Sequence, residues 1–253
     1  MHTIDNEQMS QLNPYYNPVR YSIEKRPFFK FSFSNVETVQ INYSQLHQDM
    51  FVLCALNGMR NGTYLEIGAN EPILNSNTYL LENFFGWQGI SLELSTAHVE
   101  RFNMLRRNIC LLQDATIADF DDILIKAKLP SVIDYLSVDC EPSSNTFKSL
   151  LRLPHNKTRF RVITFEHDYG AAHLNNNQEE MLIRQKSRDF LQGLGYHLVV
   201  SNISWLGQPI EDWWVDPQLV SEENFRNLIA LDKPLNDHIE FMYKTVPQKR
   251  LYV

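Results

Sequence analysis

Two periodicities of apolar and polar positions divide most of this chain. Short apolar runs over Gly62 to Ile67, Gly89 to Leu94, Ile109 to Gln113, Ile133 to Val138 and Arg161 to Phe165 predict strands. Helical spacing fills the gaps between them. Asn75 to Phe85 predicts a helix closed by Gly86. Ser95 can cap a helix whose Val99, Phe102 and Leu105 share one face. Phe120, Ile123, Leu124 and Ala127 give a further face, ended by Pro130. Ser143 to Leu151 carries Phe147, Leu150 and Leu151 on one side, and Gln178 to Leu194 is a longer helix ended by Gly195. Tyr196 to Ile203 and Ile239 to Lys244 are the remaining strand candidates. No clear helix separates them, so they are expected to pair antiparallel at one edge.

Strands and helices that alternate with short connections imply an α/β fold, with a mostly parallel sheet and helices on both faces. Residues 1–42 are rich in Asn, Gln, Tyr and Pro and read as an N-terminal extension or docking arm; in them Phe28 to Phe33 alternates aromatic and polar positions. Residues 43–253 form the expected single domain.

In such sheets ligands bind beyond the carboxyl ends of the strands. The first strand runs into Glu66-Ile67-Gly68-Ala69-Asn70, where glycine allows a tight turn and close approach to a ligand. A dinucleotide pyrophosphate needs G-x-G-x-x-G, but Asn70 and Ile73 occupy the later glycine positions. A cofactor with an ammonium and no phosphate suits this acidic loop better. Glu93 ends the second strand, where an acid can accept hydrogen bonds from ribose hydroxyls. Asp114 follows the third strand and could meet an adenine amino group or cap its own turn. Asp139 and Glu166, at the ends of the fourth and fifth strands, are candidate ligands for a divalent cation. His167 between Glu166 and Asp168 is a candidate general base or a structural histidine. Gln48 and Asp49 cover the cofactor or cap a helix. Tyr196, Trp205, Trp213 and Trp214 either wall an acceptor pocket or pack on the sheet.

Composition narrows the function classes. A formal net charge of −7 disfavours nucleic acid as a partner. The cluster Arg101, Arg106 and Arg107 is read as a solvated helix face. Cys54, Cys110 and Cys140, without C-x-x-C pairs, read as small apolar thiols and not as a zinc site. No apolar run is long enough for a membrane span, and no signal-like segment opens the chain, so a cytoplasmic location is expected. Homo-oligomerisation is left open.

In order, Ser44-Gln45-Leu46-His47-Gln48-Asp49, Tyr64 to Pro72, Asn75 to Glu82, Gly86 to Glu93, Ile133 to Glu141 and Ile163 to His167 resemble the FkbM-type family of class I S-adenosylmethionine-dependent methyltransferases. The resemblance covers about residues 44–217. It implies a Rossmann-like class I methyltransferase fold with a seven-stranded sheet and an antiparallel edge strand. It also implies S-adenosylmethionine as cofactor, with Glu66, Gly68, Ala69, Asn70, Asn77, Thr78, Glu93, Asp114 and Asp139 around it. His167, Glu166 and Asp139 are then the catalytic candidates, with Mg²⁺ on Asp139 and Glu166. O-methylation of a sugar, glycan or small natural product is the implied reaction. The family continues the fourth strand as Asp-x-Glu-Gly-x-Glu, whereas this chain has Asp139-Cys140-Glu141-Pro142-Ser143-Ser144. A catalytically silent cofactor-binding or scaffold protein is the alternative, and a nicotinamide-dependent oxidoreductase a weaker one.

Overall fold

A computed structural model describes residues 30–39, 42–205 and 207–231. Seven strands form one sheet in the order β3-β2-β1-β4-β5-β7-β6. They are β1 (Thr63–Ile67), β2 (Gln88–Glu93), β3 (Ile109–Leu112), β4 (Val132–Val138), β5 (Arg159–Glu166), β6 (His197–Trp205) and β7 (Gln208–Val215). β1 to β5 pair in parallel. β7 runs antiparallel to both β5 and β6, so the antiparallel pairing lies at one edge of a mostly parallel sheet. The strand candidate at residues 239–244 lies outside the described residues. The antiparallel partner is instead β7, which sequence periodicity did not mark, because Glu211 and Asp212 interrupt its apolar run.

Eight α-helices are described: α1 (Gln48–Ala55), α2 (Tyr79–Phe85), α3 (Thr96–Leu105), α4 (Phe120–Lys126), α5 (Ser143–Arg152), α6 (Tyr169–Leu174), α7 (Gln178–Gly193) and α8 (Glu222–Phe225). Their ends follow local chemistry. Ser95 accepts from the His98 amide, Asp119 from Asp122 and Asn177 from Glu180, each filling an otherwise open amide of a first turn. Gly86 closes α2 in the left-handed region, at φ 76°.

The two faces of the sheet carry separate cores. On one, α1, α2 and α8 pack against Tyr64, Tyr135, Val162 and Trp213. On the other, α4, α5 and α7 pack against Leu65, Ile67, Leu136, Ile163 and Trp214. Trp213 and Trp214 are both fully buried on opposite faces, and Trp213 stacks on Phe51 at 4.7 Å. They therefore pack the sheet and do not wall a pocket. Phe33 is buried in the first core and Ser34 N–H donates to Asn57 Oδ1, which docks this part of the N-terminal segment; residues 30–33 form no strand.

Candidate functional site

The chain passes outward from β1 through β2 to β3, then returns to β4 on the other side of β1. The carboxyl ends of β1 and β4 therefore flank the point where the strand order reverses, the place where open α/β sheets form a binding crevice. Gly68 and Asp139 lie there. Asp139 N–H donates to the Ile67 carbonyl at 2.9 Å, and Gly68 N–H to the Leu92 carbonyl at 2.9 Å. Gly68 has φ 82°, and a β-carbon on it would lie 1.6 Å from the Asp139 carbonyl oxygen. Glycine is thus required by backbone packing as well as by the turn.

Glu93 draws the loop in from β2. Its carboxylate accepts from the Asn70, Leu94 and Ser95 amides at 2.9, 2.8 and 2.8 Å. These bonds fix its orientation and leave one lone-pair direction for a ligand. Asn77 Nδ2 donates to Ser137 Oγ at 2.9 Å, while Asn77 Oδ1 is buried without a protein partner. That open acceptor faces the same side of the sheet as Glu66 and Ser137, which are paired in register. Thr78 Oγ1 donates to Glu66 Oε2 at 3.0 Å and Ser91 Oγ to the same oxygen at 2.6 Å. Burial raises the Glu66 carboxyl to about 7 against the pull of Arg106. Ala69 is buried behind the loop against Phe102 and Cys110. Asp114 holds its own turn, accepting from the Thr116 amide and hydroxyl at 2.8 and 2.7 Å, so its Oδ1 is already engaged.

A second group of acids gathers on the same face. Side chains alternate along a strand, so Glu166 falls on the Asp139 side and His167 on the other. Burial raises Asp139, and it raises Glu166 further because Asp139 repels a second charge and accepts a hydrogen bond from Glu166. Asp168 is raised to about 6, first by burial. Glu211, opposite Glu166 in register, is raised to about 8 by burial and by Asp139, although Gln48 Nε2 and Trp213 Nε1 donate to it at 2.7 and 2.9 Å.

Three expectations need correction. His167 is fully buried away from Asp139 and Glu166; its Nδ1 accepts from the Tyr169 amide and its Nε2 faces Asp212 at 3.6 Å. Neither ring nitrogen is open to an acceptor, and burial pushes the imidazole towards its neutral form. Asp139 and Glu166 hydrogen-bond to each other, and among the described residues no three His, Cys, Asp or Glu side chains gather to hold a metal. This arrangement gives the expected Mg²⁺ no support. Arg106 is not on a solvated face; its side chain has 0% exposure and is paired with Glu82.

Residues not singled out in sequence include Asp168, Glu180 and Glu211. A cleft of about 560 Å³ opens between the starts of α5, α6 and α7, lined by Glu141, Ser143, Asp168, Asn175, Asn177 and Glu180 among others. The acidic strand end Glu166-His167-Asp168 signalled the place; periodicity alone could not tell which acid faces the opening. The three thiols are unpaired, with Cys54 and Cys110 buried and Cys140 half-buried. No helix among the described residues is long and apolar enough to cross a membrane.

No family model matches the chain, and no curated protein matches it. Solved structures of similar fold include an O-methyltransferase from Bacillus cereus in complex with S-adenosylhomocysteine, 17% identical over 69% of this chain and 82% of that one, TM-score 0.42. A TehB-like S-adenosylmethionine-dependent methyltransferase from Corynebacterium glutamicum is 11% identical over 72% and 92%, TM-score 0.41. The N-methyltransferase NodS from Bradyrhizobium japonicum is 9% identical over 68% and 94%, TM-score 0.42. Likeness at this level assigns no residue a role, so roles rest on the geometry above.

Proposed function

We propose that this chain binds S-adenosylmethionine at the carboxyl ends of β1, β2 and β4 and methylates a hydroxyl of a small acceptor. The observation that carries this reading is the meeting of Gly68, Glu93 and Asp139 at the reversal of strand order, with Asn77 Oδ1 as a buried acceptor lacking a partner. The residues fit the cofactor by charge. Glu66, Glu93, Asp139 and Asn77 Oδ1 offer acceptors, which suit an ammonium and ribose hydroxyls. A pyrophosphate would be repelled by the same groups, which disfavours a nicotinamide cofactor. Glu93 takes the ribose, and Glu66 with Asn77 the ammonium end. Asn70 closes the loop by donating its backbone N–H to Glu93 Oε2.

When bound, the cofactor supplies a methyl group on a sulfonium whose charge disappears as the methyl leaves. The chain's own work is to orient the acceptor and remove its proton. Asp168 lines the cleft and replaces His167 as the candidate base. Its value of about 6 leaves it ionised at neutral pH yet within reach of a proton transfer. Glu166 carries a proton between Asp139 and Asp168 and orients both carboxylates. The acidic lining of the cleft, added to the net charge of −7, favours a small acceptor without phosphate groups.

Isothermal titration with S-adenosylmethionine, S-adenosylhomocysteine and NADH tests the cofactor. Binding of the first two, absence of the third, and loss of about 10- to 100-fold in affinity for Glu93→Ala are expected, the latter from hydrogen bonds to a charged group. Tight NADH binding, or no binding of either adenosyl compound, overturns the reading. Transfer of a labelled methyl group from S-adenosylmethionine to pooled small hydroxyl compounds tests the reaction, with Asp168→Asn expected to lower transfer and to spare cofactor affinity.

A further inference from the structure

Behind the glycine loop lies a buried guanidinium that the proposed reaction does not use directly. Arg106 follows α3, and its side chain has 0% exposure. Its Nε donates to Glu82 Oε2 at 2.8 Å, and its Nη1 to the Pro72 carbonyl at 2.7 Å and to Ser76 Oγ at 3.2 Å. Its Nη2 donates to Thr78 Oγ1 at 3.0 Å and to the Tyr64 hydroxyl at 3.3 Å. The rings of Phe102 and Tyr79 flank it, with centroids 4.4 and 5.4 Å away. One side chain thus ties together both ends of the segment from Pro72 to Thr78. Thr78 passes the link on, because its hydroxyl donates to Glu66.

Counting buried charges gives the consequence. Glu66 and Glu82 are 2% and 0% exposed, and Arg106 is the buried cation between them. Glu82 holds the larger share: it pairs with Arg106 at 2.7 Å and accepts from the Arg107 and Asn108 amides. These contacts outweigh the cost of burial and hold Glu82 below the usual carboxylate range. The Arg107 guanidinium also approaches Glu82 at 3.8 Å, but it is 64% exposed and solvent screens it. The other ionisable groups that bear on Glu66 are Tyr64 beside it on β1, Tyr135 on β4 and Cys110 on β3. Burial keeps all three neutral, so none adds a positive charge. A buried carboxylate short of positive charge takes either a proton or a cation.

We propose that Arg106 is a positioning residue of the cofactor site, which orients Glu66 through Thr78 and leaves it one positive charge short, so that the cofactor's ammonium binds by displacing a proton from Glu66 to solvent. This rests on the S-adenosylmethionine reading above. The exchange balances: the neutral carboxyl loses its proton, the carboxylate then pairs with the ammonium, and no covalent bond to carbon changes. Arg106 sets the pH at which this happens, since it is the largest influence opposing burial at Glu66.

The test is isothermal titration of the full chain with S-adenosylmethionine at pH 6, 7 and 8, in buffers of different ionisation heat. The wild type is expected to release most of a proton at pH 6 and about half at pH 7, with affinity rising about fivefold between them; at pH 8 proton uptake by the cofactor's own α-amine, which ordinarily titrates at about 7.7–8.0, outweighs the release. Arg106→Met should move the release to higher pH and weaken binding at pH 7 by about tenfold or more. Arg106→Lys should restore the pH midpoint in part, because it returns the charge without the fork. Thr78→Val removes only the hydroxyl link, and it should shift the midpoint the same way if the Met variant does not fold. Glu66→Gln should bind without releasing a proton. Binding by the wild type at pH 6 with no proton release overturns this inference alone, as does an unshifted midpoint in Thr78→Val. No binding by the wild type overturns the cofactor reading and this inference with it.

Discussion

Replacing Gly68 by alanine perturbs a close backbone contact between the loops after β1 and β4. The cost has separable parts. A left-handed backbone at φ 82° costs an alanine about 1–2 kcal/mol. The added carbon would lie 1.6 Å from the Asp139 carbonyl oxygen, so the two loops must part. That strains or breaks the Asp139–Ile67 and Gly68–Leu92 backbone bonds, both 2.9 Å, at about 1 kcal/mol each. The total is about 3–4 kcal/mol. For a chain of this length each kcal/mol lowers the melting temperature by roughly 2–4 °C, so a fall of about 6–16 °C is expected. Gly195 supplies the control. It has φ 87° and nothing within 4 Å of the added carbon, so Gly195→Ala should lose only the backbone share of about 1–2 kcal/mol. Urea unfolding followed by tryptophan fluorescence measures both variants. Equal stability losses for the two would refute the reasoning, because the loop contact would then contribute nothing.

Four further outcomes are expected. Asp212→Ala removes the buried carboxylate that pairs with Arg188 at 2.7 Å, and should cost about 3–5 kcal/mol by chemical denaturation. The same pair governs acid stability: burial alone would raise Asp212, but His167 and Arg188 hold it well below 3.8. Its stabilisation is therefore complete above about pH 4 and is lost as pH falls, so Asp212→Asn should flatten the acid limb of a stability–pH curve. Glu211 has the opposite sign. Raised from 4.5 to about 8, it favours the fold while protonated, and stability should decline as pH climbs through that window; Glu211→Gln should remove the decline, measured as urea midpoints between pH 5 and 9. Trp213→Ala empties a fully buried site against Phe51 and should cost about 3–5 kcal/mol, read from the unfolding midpoint.

Much of the architecture follows from neighbours along the chain, and the sequence determined it. Five parallel strands, the cap Ser95, and the stops Gly86 and Gly195 were all legible, because periodicity and capping involve residues only a few positions apart. The tight turn after β1 and the acid after β2 were legible for the same reason, since Gly68 and Glu93 mark strand ends. Tertiary structure decided where the charges go. Glu211 and Asp212 read as polar interruptions, yet they lie in a buried strand because Gln48, 163 residues away, holds one and Arg188 the other. Arg106 reads as a surface charge, and only Glu82 and Thr78 make its burial tolerable. His167 and Glu166 are adjacent in sequence, but the strand turns them to opposite faces. Apolar patterning is written locally because burial depends on which face a residue shows. The partner of a buried charge comes from a distant element, so a chain read in order cannot tell a solvated acid from a buried one.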